Sequence, residues 1–381
     1  MSTKNSFLLL CFLACLLLNM HAALTTGVQN QENQATLLKG QVQDILLDSR
    51  EKLDTGEEQR QQLVRVKLSD GRVVEALNTV PEQLSYQVIL KKGDRIILSE
   101  EGGAIYIEGF QRDDVCWWLI GIFVALILWM GGRKGILAFV SLLLKVSLLL
   151  FVFIPLIKQG FSPILGASVF CILATFLTIS LVSGWNLKTL AACFGTVGGV
   201  VFAGLLGAWA VSTARLSGLL EPEAESLHFQ FPALKIGEMI AAGVLIGALG
   251  AAMDVAISVA SALYEVHLAA PHKGMKELFR IGMNIGQDVM GTMVNTLILA
   301  YAGSSLPTII LISQISADYL LNMELVVKEI ILAVVGSIGL ILTIPLTAVL
   351  SAYLFVKFSL TSQHQSQPQV IEPVSSSAGH S

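Results

Sequence analysis

Two ten-residue stretches carry the residues most able to do chemistry: Asp254-Val255-Ala256-Ile257-Ser258-Val259-Ala260-Ser261-Ala262-Leu263 and Asp288-Val289-Met290-Gly291-Thr292-Met293-Val294-Asn295-Thr296-Leu297. Each sets a carboxylate and small polar side chains into an otherwise apolar segment. An ionisable group inside a membrane span costs at least about 2.5 kcal/mol on insertion scales, so it is retained for a function or for an internal partner. Asp318, following Gln314 and Ser316, repeats the pattern in a shorter apolar run.

At about 100° per residue, Gly243, Gly247, Gly250, Asp254, Ser258, Ser261 and Glu265 form one stripe of a helix, and Asn284, Asp288, Gly291 and Asn295 form another, with Thr292 at its edge. Glycine lets helix backbones approach closely, so the two stripes are expected to face each other. Helical rise places Asp254 and Asp288 roughly 6 to 7 Å to the inner side of the membrane centre, and Asp318 at a similar depth. No lysine or arginine lies at that depth in these three spans. Clustered carboxylates with Asn, Ser and Thr oxygens suit a proton or a hard cation such as Na⁺. The bland alternative is that protonated Asp and Asn only bond neighbouring helices.

Other chemistries find less support. An intramembrane aspartyl protease would use the same pair as acid and base, but Asp254 follows Ala251-Ala252-Met253 and Asp288 follows Ile285-Gly286-Gln287, without the G-x-G-D and Y-D contexts of that class. Gly131-Gly132-Arg133-Lys134-Gly135 lacks P-loop spacing, and no H-E-x-x-H or G-x-S-x-G occurs. The five cysteines fall in or beside apolar segments with no metal-site spacing. No cofactor and no metal site is expected.

The elements that must position these residues follow from composition. Of 381 residues, 54% are hydrophobic and 14% charged, and the mean hydropathy is +0.71, well beyond soluble-domain averages. This describes a polytopic α-helical membrane bundle whose main partner is the lipid bilayer. The net charge of -4 gives no basis for nucleic-acid binding. About eight spans are expected, near 115–130, 135–157, 163–183, 187–211, 236–263, 283–302, 306–321 and 326–356, within a transmembrane domain 115–356. In the last, Thr343, Pro345 and Thr347 predict a kink; Gly286 and the stripe glycines serve packing.

Residues 1–23 match a signal peptide, and 24–36 read as a polar linker. From 37 to 110 the period changes to alternation, as in Leu63-Val64-Arg65-Val66-Lys67-Leu68 beside the turn dipeptide Asp70-Gly71, which predicts a small extracytoplasmic β-barrel or sandwich of about five strands. With that module outside, Arg133-Lys134, Lys188, Lys273, Lys276 and Arg280 fall on the inner side, as the positive-inside rule expects. The tail 357–381, rich in Ser, Gln and Pro, is expected to be disordered.

The stretches Gly247-Ala248-Leu249-Gly250-Ala251-Ala252-Met253-Asp254, Gly286 to Leu297, and Ile344-Pro345-Leu346-Thr347-Ala348 resemble the YibE/F-like family of bacterial multi-pass membrane proteins over roughly 117–355. The resemblance implies a bacterial cytoplasmic membrane and the same multi-span architecture, and it implies no reaction or substrate. The functional expectation is a secondary transporter or permease, not an enzyme, that couples an unnamed solute or ion to the intramembrane aspartates. The alternative is a non-catalytic scaffold whose β module docks a protein partner. A homo-oligomer is compatible with both.

Overall fold

A computed structural model describes residues 36–52, 58–81, 89–102, 104–219, 222–313 and 315–365. The expected signal segment, nearly all of the linker, and the tail beyond 365 lie outside the described residues. The chain divides into two compact units, 1–132 and 133–381.

The first unit contains a closed five-stranded barrel, ordered β1-β2-β3-β5-β4. Its strands are β1 (Thr36–Lys52), β2 (Glu58–Leu68), β3 (Val73–Pro81), β4 (Arg95–Glu101) and β5 (Ala104–Phe110). β3 and β5 pair in parallel and β1 and β4 antiparallel, which closes a Greek-key barrel of the OB type. Alternation explains the core: Val64, Val66 and Leu68 point inward with Val42, Ala76, Leu90, Ile96 and Leu98, while Arg65 and Lys67 face out. Gly40 is required where β1 crosses β2, because a Cβ there would stand 2.5 Å from the Val66 side chain.

One buried polar group holds this interior together. The Gln62 Oε1 accepts from the Leu90 backbone N–H at 2.9 Å and from the Asn78 amide at 3.3 Å, and the Gln62 Nε2 donates to Asp48 at 3.1 Å. The Arg60 guanidinium and the Gln62 amide hold the Asp48 carboxyl below its ordinary range. Lys39 pairs with Asp113 and Arg95 with Asp114, tying the barrel to the N-terminus of the helix that follows, where carboxylates are also favoured by the helix dipole.

That helix, α1 (Asp113–Leu148), has a non-helical Gly132 (φ 49°, ψ -128°) at the division between the units. It continues through a π-helical turn (Leu149–Phe153) into α2 (Ile154–Lys158). The second unit is completed by α3 (Pro163–Ser183), α4 (Leu187–Thr213), α5 (Pro222–Gln230), α6 (Ile236–Ala269), α7 (Met275–Ser304), α8 (Leu306–Ile312), α9 (Ala317–Leu320) and α10 (Glu324–Gln365).

Five helical stretches among the described residues are long and apolar enough to cross a bilayer: Asp113–Lys158, Pro163–Ser183, Leu187–Thr213, Ile236–Ala269 and Glu324–Phe358. The expectation of about eight spans is corrected accordingly. The first two expected spans belong to one helical stretch interrupted at Gly132. The seventh is broken into α8 and α9, because Gln314, Ser316 and Asp318 interrupt an apolar run already too short. The sixth, α7, is too polar to qualify by composition, yet it packs along two helices that do qualify. Pro345 does not end α10, which runs on to Gln365, past the start of the expected disordered tail.

Glycine-mediated contacts set the helix registers. Gly195 and Gly199 of α4 meet Thr347 and Thr343 of α10, and Gly339 of α10 meets Ala203 of α4, so these two run antiparallel. Gly282 meets Ala348, Gly286 meets Ile344, and Gly336 meets Leu297, which sets α7 antiparallel to α10. Gly336 also meets Ala248, and His267 stacks on Phe355 at 5.9 Å, so α6 runs parallel to α10. α10 therefore lies at the centre, between α4, α6 and α7. Lys188, Lys273, Lys276, Arg280 and Lys357 collect at one end of this bundle. The C-terminal end of α10 is at that basic end, opposite to what a seventh full crossing would produce.

Candidate functional site

With α10 as the ruler, the depth of each aspartate can be read directly. The α6 contacts put Asp254 level with about Leu342, and the α7 contacts put Asp288 level with about the same residue. Leu342 is close to the middle of the apolar stretch Glu324–Phe358. The two carboxyls thus share a layer at the centre of the bundle, deeper than the boundaries of the sequence segments suggest. The direct α6–α7 contacts, Leu263 on Gly282 and Tyr301 over Gly247, put Asp254 level with α7 one to two helical turns beyond Asp288.

Asp318 lies on α9, six residues before the start of α10; its side chain is outside the described residues.

The stripes also do not face each other. Gly282 and Gly286 point from α7 into the bundle, where a Cβ at Gly286 would stand 2.1 Å from Ile344. Asn284, Asp288, Gly291 and Asn295 lie on the opposite side of the helix and are exposed, as is Thr292. On α6, Gly243, Gly247, Gly250, Asp254 and Ser258 are exposed, Ser261 is half-buried, and only Gly247 is overlain by α7, through Tyr301. The reason is packing: α6 and α7 each turn their apolar side chains toward α10, which leaves both polar stripes on the outside of the bundle.

Local bonding leaves the polar atoms available. The hydroxyls of Ser258 and Thr292 donate to the carbonyls of Asp254 (2.8 Å) and Val289 (2.9 Å) in their own helices, so only their lone pairs face outward. Among the described residues, no hydrogen-bond or ion-pair partner serves the side chains of Asp254, Asn284, Asp288 or Asn295. No three His, Cys, Asp or Glu side chains among the described residues are grouped to hold a metal ion.

One partner escaped the sequence reading. Lys145 of α1 lies within Coulombic range of Asp254, beyond direct ion-pair contact. Its helix packs antiparallel on α3, with Ser141 bonded to Thr178 at 3.2 Å and Phe153 against Phe170. The signal was present: Lys145 is at the centre of the apolar run 135–157, where a charge is as costly as at Asp254. Another acid in a span, Glu329 of α10, faces Tyr301 across an apolar cavity of about 320 Å³.

The long apolar helices and their registers describe a multi-pass membrane protein. The YibE/F-like protein family model matches residues 119–357, and the chain belongs to that family. No curated protein and no solved structure matches it.

Proposed function

We propose that this chain is a secondary transporter or permease that couples a proton or a cation to Asp254 and Asp288, working without cofactor or covalent chemistry. The observation that carries this reading is the pair of carboxyls at one mid-bundle level, on helix faces that the bundle leaves uncovered. At that depth a polar face requires water or protein beside it, because lipid cannot satisfy it. Asp254 and Asp288 supply charge, and Ser258, Ser261, Thr292, Asn284 and Asn295 supply neutral oxygens along the same faces. Lys145 acts as an internal counter-charge that an incoming cation displaces from Asp254. The shared D-V-x-x-[S/T] pattern on antiparallel α6 and α7 fits the inverted-repeat logic of such proteins. The collection of basic residues at one end supports a bacterial cytoplasmic-membrane orientation with that end inside and the barrel outside.

The test is flux. Purified protein in liposomes is expected to show pH- or cation-gradient-dependent uptake that Asp288→Asn abolishes; unchanged flux in the Asp254→Asn/Asp288→Asn double variant would refute the reading.

A scaffold reading has its own observation. Leu47, Leu63, Leu77 and Tyr106 stand in register across β1, β2, β3 and β5, forming an apolar row on the barrel exterior in which Leu47, Leu77 and Tyr106 are each about half exposed. In that case deletion of 37–110 abolishes activity while the double Asn variant keeps it.

A further inference from the structure

A cavity of about 320 Å³ opens between α7, α8 and α10, all within the unit 133–381. Ile298, Ile309, Ile330 and Val334 make its wall aliphatic, and among the lining residues Glu329 carries the single charge. Glu329 is half-buried, and among the described residues its carboxyl makes no hydrogen bond or ion pair. Its neighbour in sequence, Lys328, is not part of the wall. Tyr301 stands opposite, within Coulombic range of Glu329. The Tyr301 ring is held by a close approach to α6, since a Cβ at Gly247 would lie 2.2 Å from its hydroxyl. Tyr301 follows Asp288 by thirteen residues on α7 and Glu329 precedes Leu342 by thirteen on α10. Both intervals set the cavity about 20 Å from the level of the aspartates, toward the end of the bundle opposite the basic residues.

We propose that this cavity binds a lipophilic organic monocation, an apolar body bearing one ammonium group, with its charge between the Glu329 carboxylate and the Tyr301 ring. An unpaired carboxylate in an apolar wall is costly, and a cation in the same cavity offsets that cost. The face of an aromatic ring attracts an ammonium group, most strongly where water is excluded. The carboxylate and ring suit the charged half of such a ligand, and the aliphatic side chains suit its body. A hydrated metal ion would leave the aliphatic wall unused. A neutral molecule or a lipid acyl tail would leave the carboxylate unpaired. The volume falls at the lower end of small-molecule sites, about 300 to 1,000 Å³, and fits a cation of one ring and a few further carbons. The site is separate from the aspartate pair, and its occupation requires no flux.

The experiment is isothermal titration of the full chain in phosphatidylglycerol nanodiscs, whose lipid brings no amine, with the heat of empty nanodiscs subtracted. The probes are benzyltrimethylammonium and neopentylbenzene, its neutral isostere with carbon in place of nitrogen. Saturable binding of the cation is expected, with the neutral probe about tenfold weaker or more. Glu329→Gln keeps the shape of the cavity. It is expected to weaken the cation about tenfold or more while leaving neopentylbenzene binding and thermal unfolding unchanged. Ala333→Phe narrows the cavity from its α10 wall and is expected to weaken both probes. The Asp254→Asn/Asp288→Asn variant is expected to bind the cation as the parent does. Equal affinity for the two probes marks an apolar void and overturns the proposal. Cation binding that survives Glu329→Gln, loss of binding in the double Asn variant, or no saturable binding each overturn it too.

Discussion

Two glycine-bearing helix faces in this bundle read alike and are used in opposite ways. On α4, Gly195, Gly199 and Ala203 recur every fourth residue and receive Thr347, Thr343 and Gly339 of α10; a Cβ at Gly199 would lie 1.9 Å from the Thr343 hydroxyl and 2.6 Å from the Gly339 carbonyl. On the outward face of α7, Gly291 stands between unpaired amides and touches nothing. The α4 face is closed by the chain itself, and its neighbouring hydroxyls are buried with it. The α7 face has equivalent small residues, and no described element of the unit 133–381 closes it at Gly291. A glycine in a span therefore permits a close approach without saying whether any element of the bundle takes it.

The sharpest way to break this contrast is to fill both faces. Gly199→Leu is expected to unfold the bundle or lower its stability by about 3 kcal/mol or more, since the obstructing atoms include backbone. Gly291→Ala is expected to leave thermal stability in detergent within about 1 kcal/mol of the parent protein. Equal losses at both positions would erase the distinction.

Charge gives the next largest effect. Lys145→Met removes a cation that lies in Coulombic range of Asp254 and is expected to shift the pH dependence of liposome flux, with the fold retained by circular dichroism. An unchanged profile would leave Lys145 no part in the site.

The barrel provides a reference in the other unit. Gln62→Leu strands the buried Leu90 N–H and is expected to cost about 1 to 3 kcal/mol, read from barrel amide exchange in the full chain.

The smallest effect is acid sensitivity at the barrel surface. Asp48 and Asp70 are each held below the ordinary value of 3.8, by the Arg60 side chain and by the Arg72 backbone and side chain respectively. Lowered carboxyls add stability that is fully present above pH 3.8 and is lost as pH falls through their lower native values. Barrel protection in amide exchange is expected to decline in that acid range and to stay flat from pH 5 to 7.

Much of this was legible beforehand because its causes are local. Alternation in Leu63 to Leu68 specifies a strand with a buried face, and runs such as 163–183 specify a span. Rise per residue sets Asp254 and Asp288 at comparable levels along their helices, because that depends only on position within one segment. What failed depended on contacts between distant segments. Glycine and polar residues coincide on both stripes, but the competition for α10 is decided by the larger apolar surfaces of α6 and α7. Lys145 was overlooked because it approaches Asp254 from a helix more than a hundred residues earlier.

By itself, the sequence determined that the chain carries long apolar helices able to cross a membrane, that a β module precedes them, and that Asp254 and Asp288 stand in apolar surroundings. Periodicity, length and transfer energy suffice for these, since each concerns one segment and its solvent. Only the tertiary structure decided that the aspartate faces point outward, that α10 is the common partner, and that a lysine from α1 comes near one aspartate while the Gly291 face of α7 is left open. Those outcomes depend on which of several comparable helix faces bury the most surface against one another, a competition that no single segment can resolve.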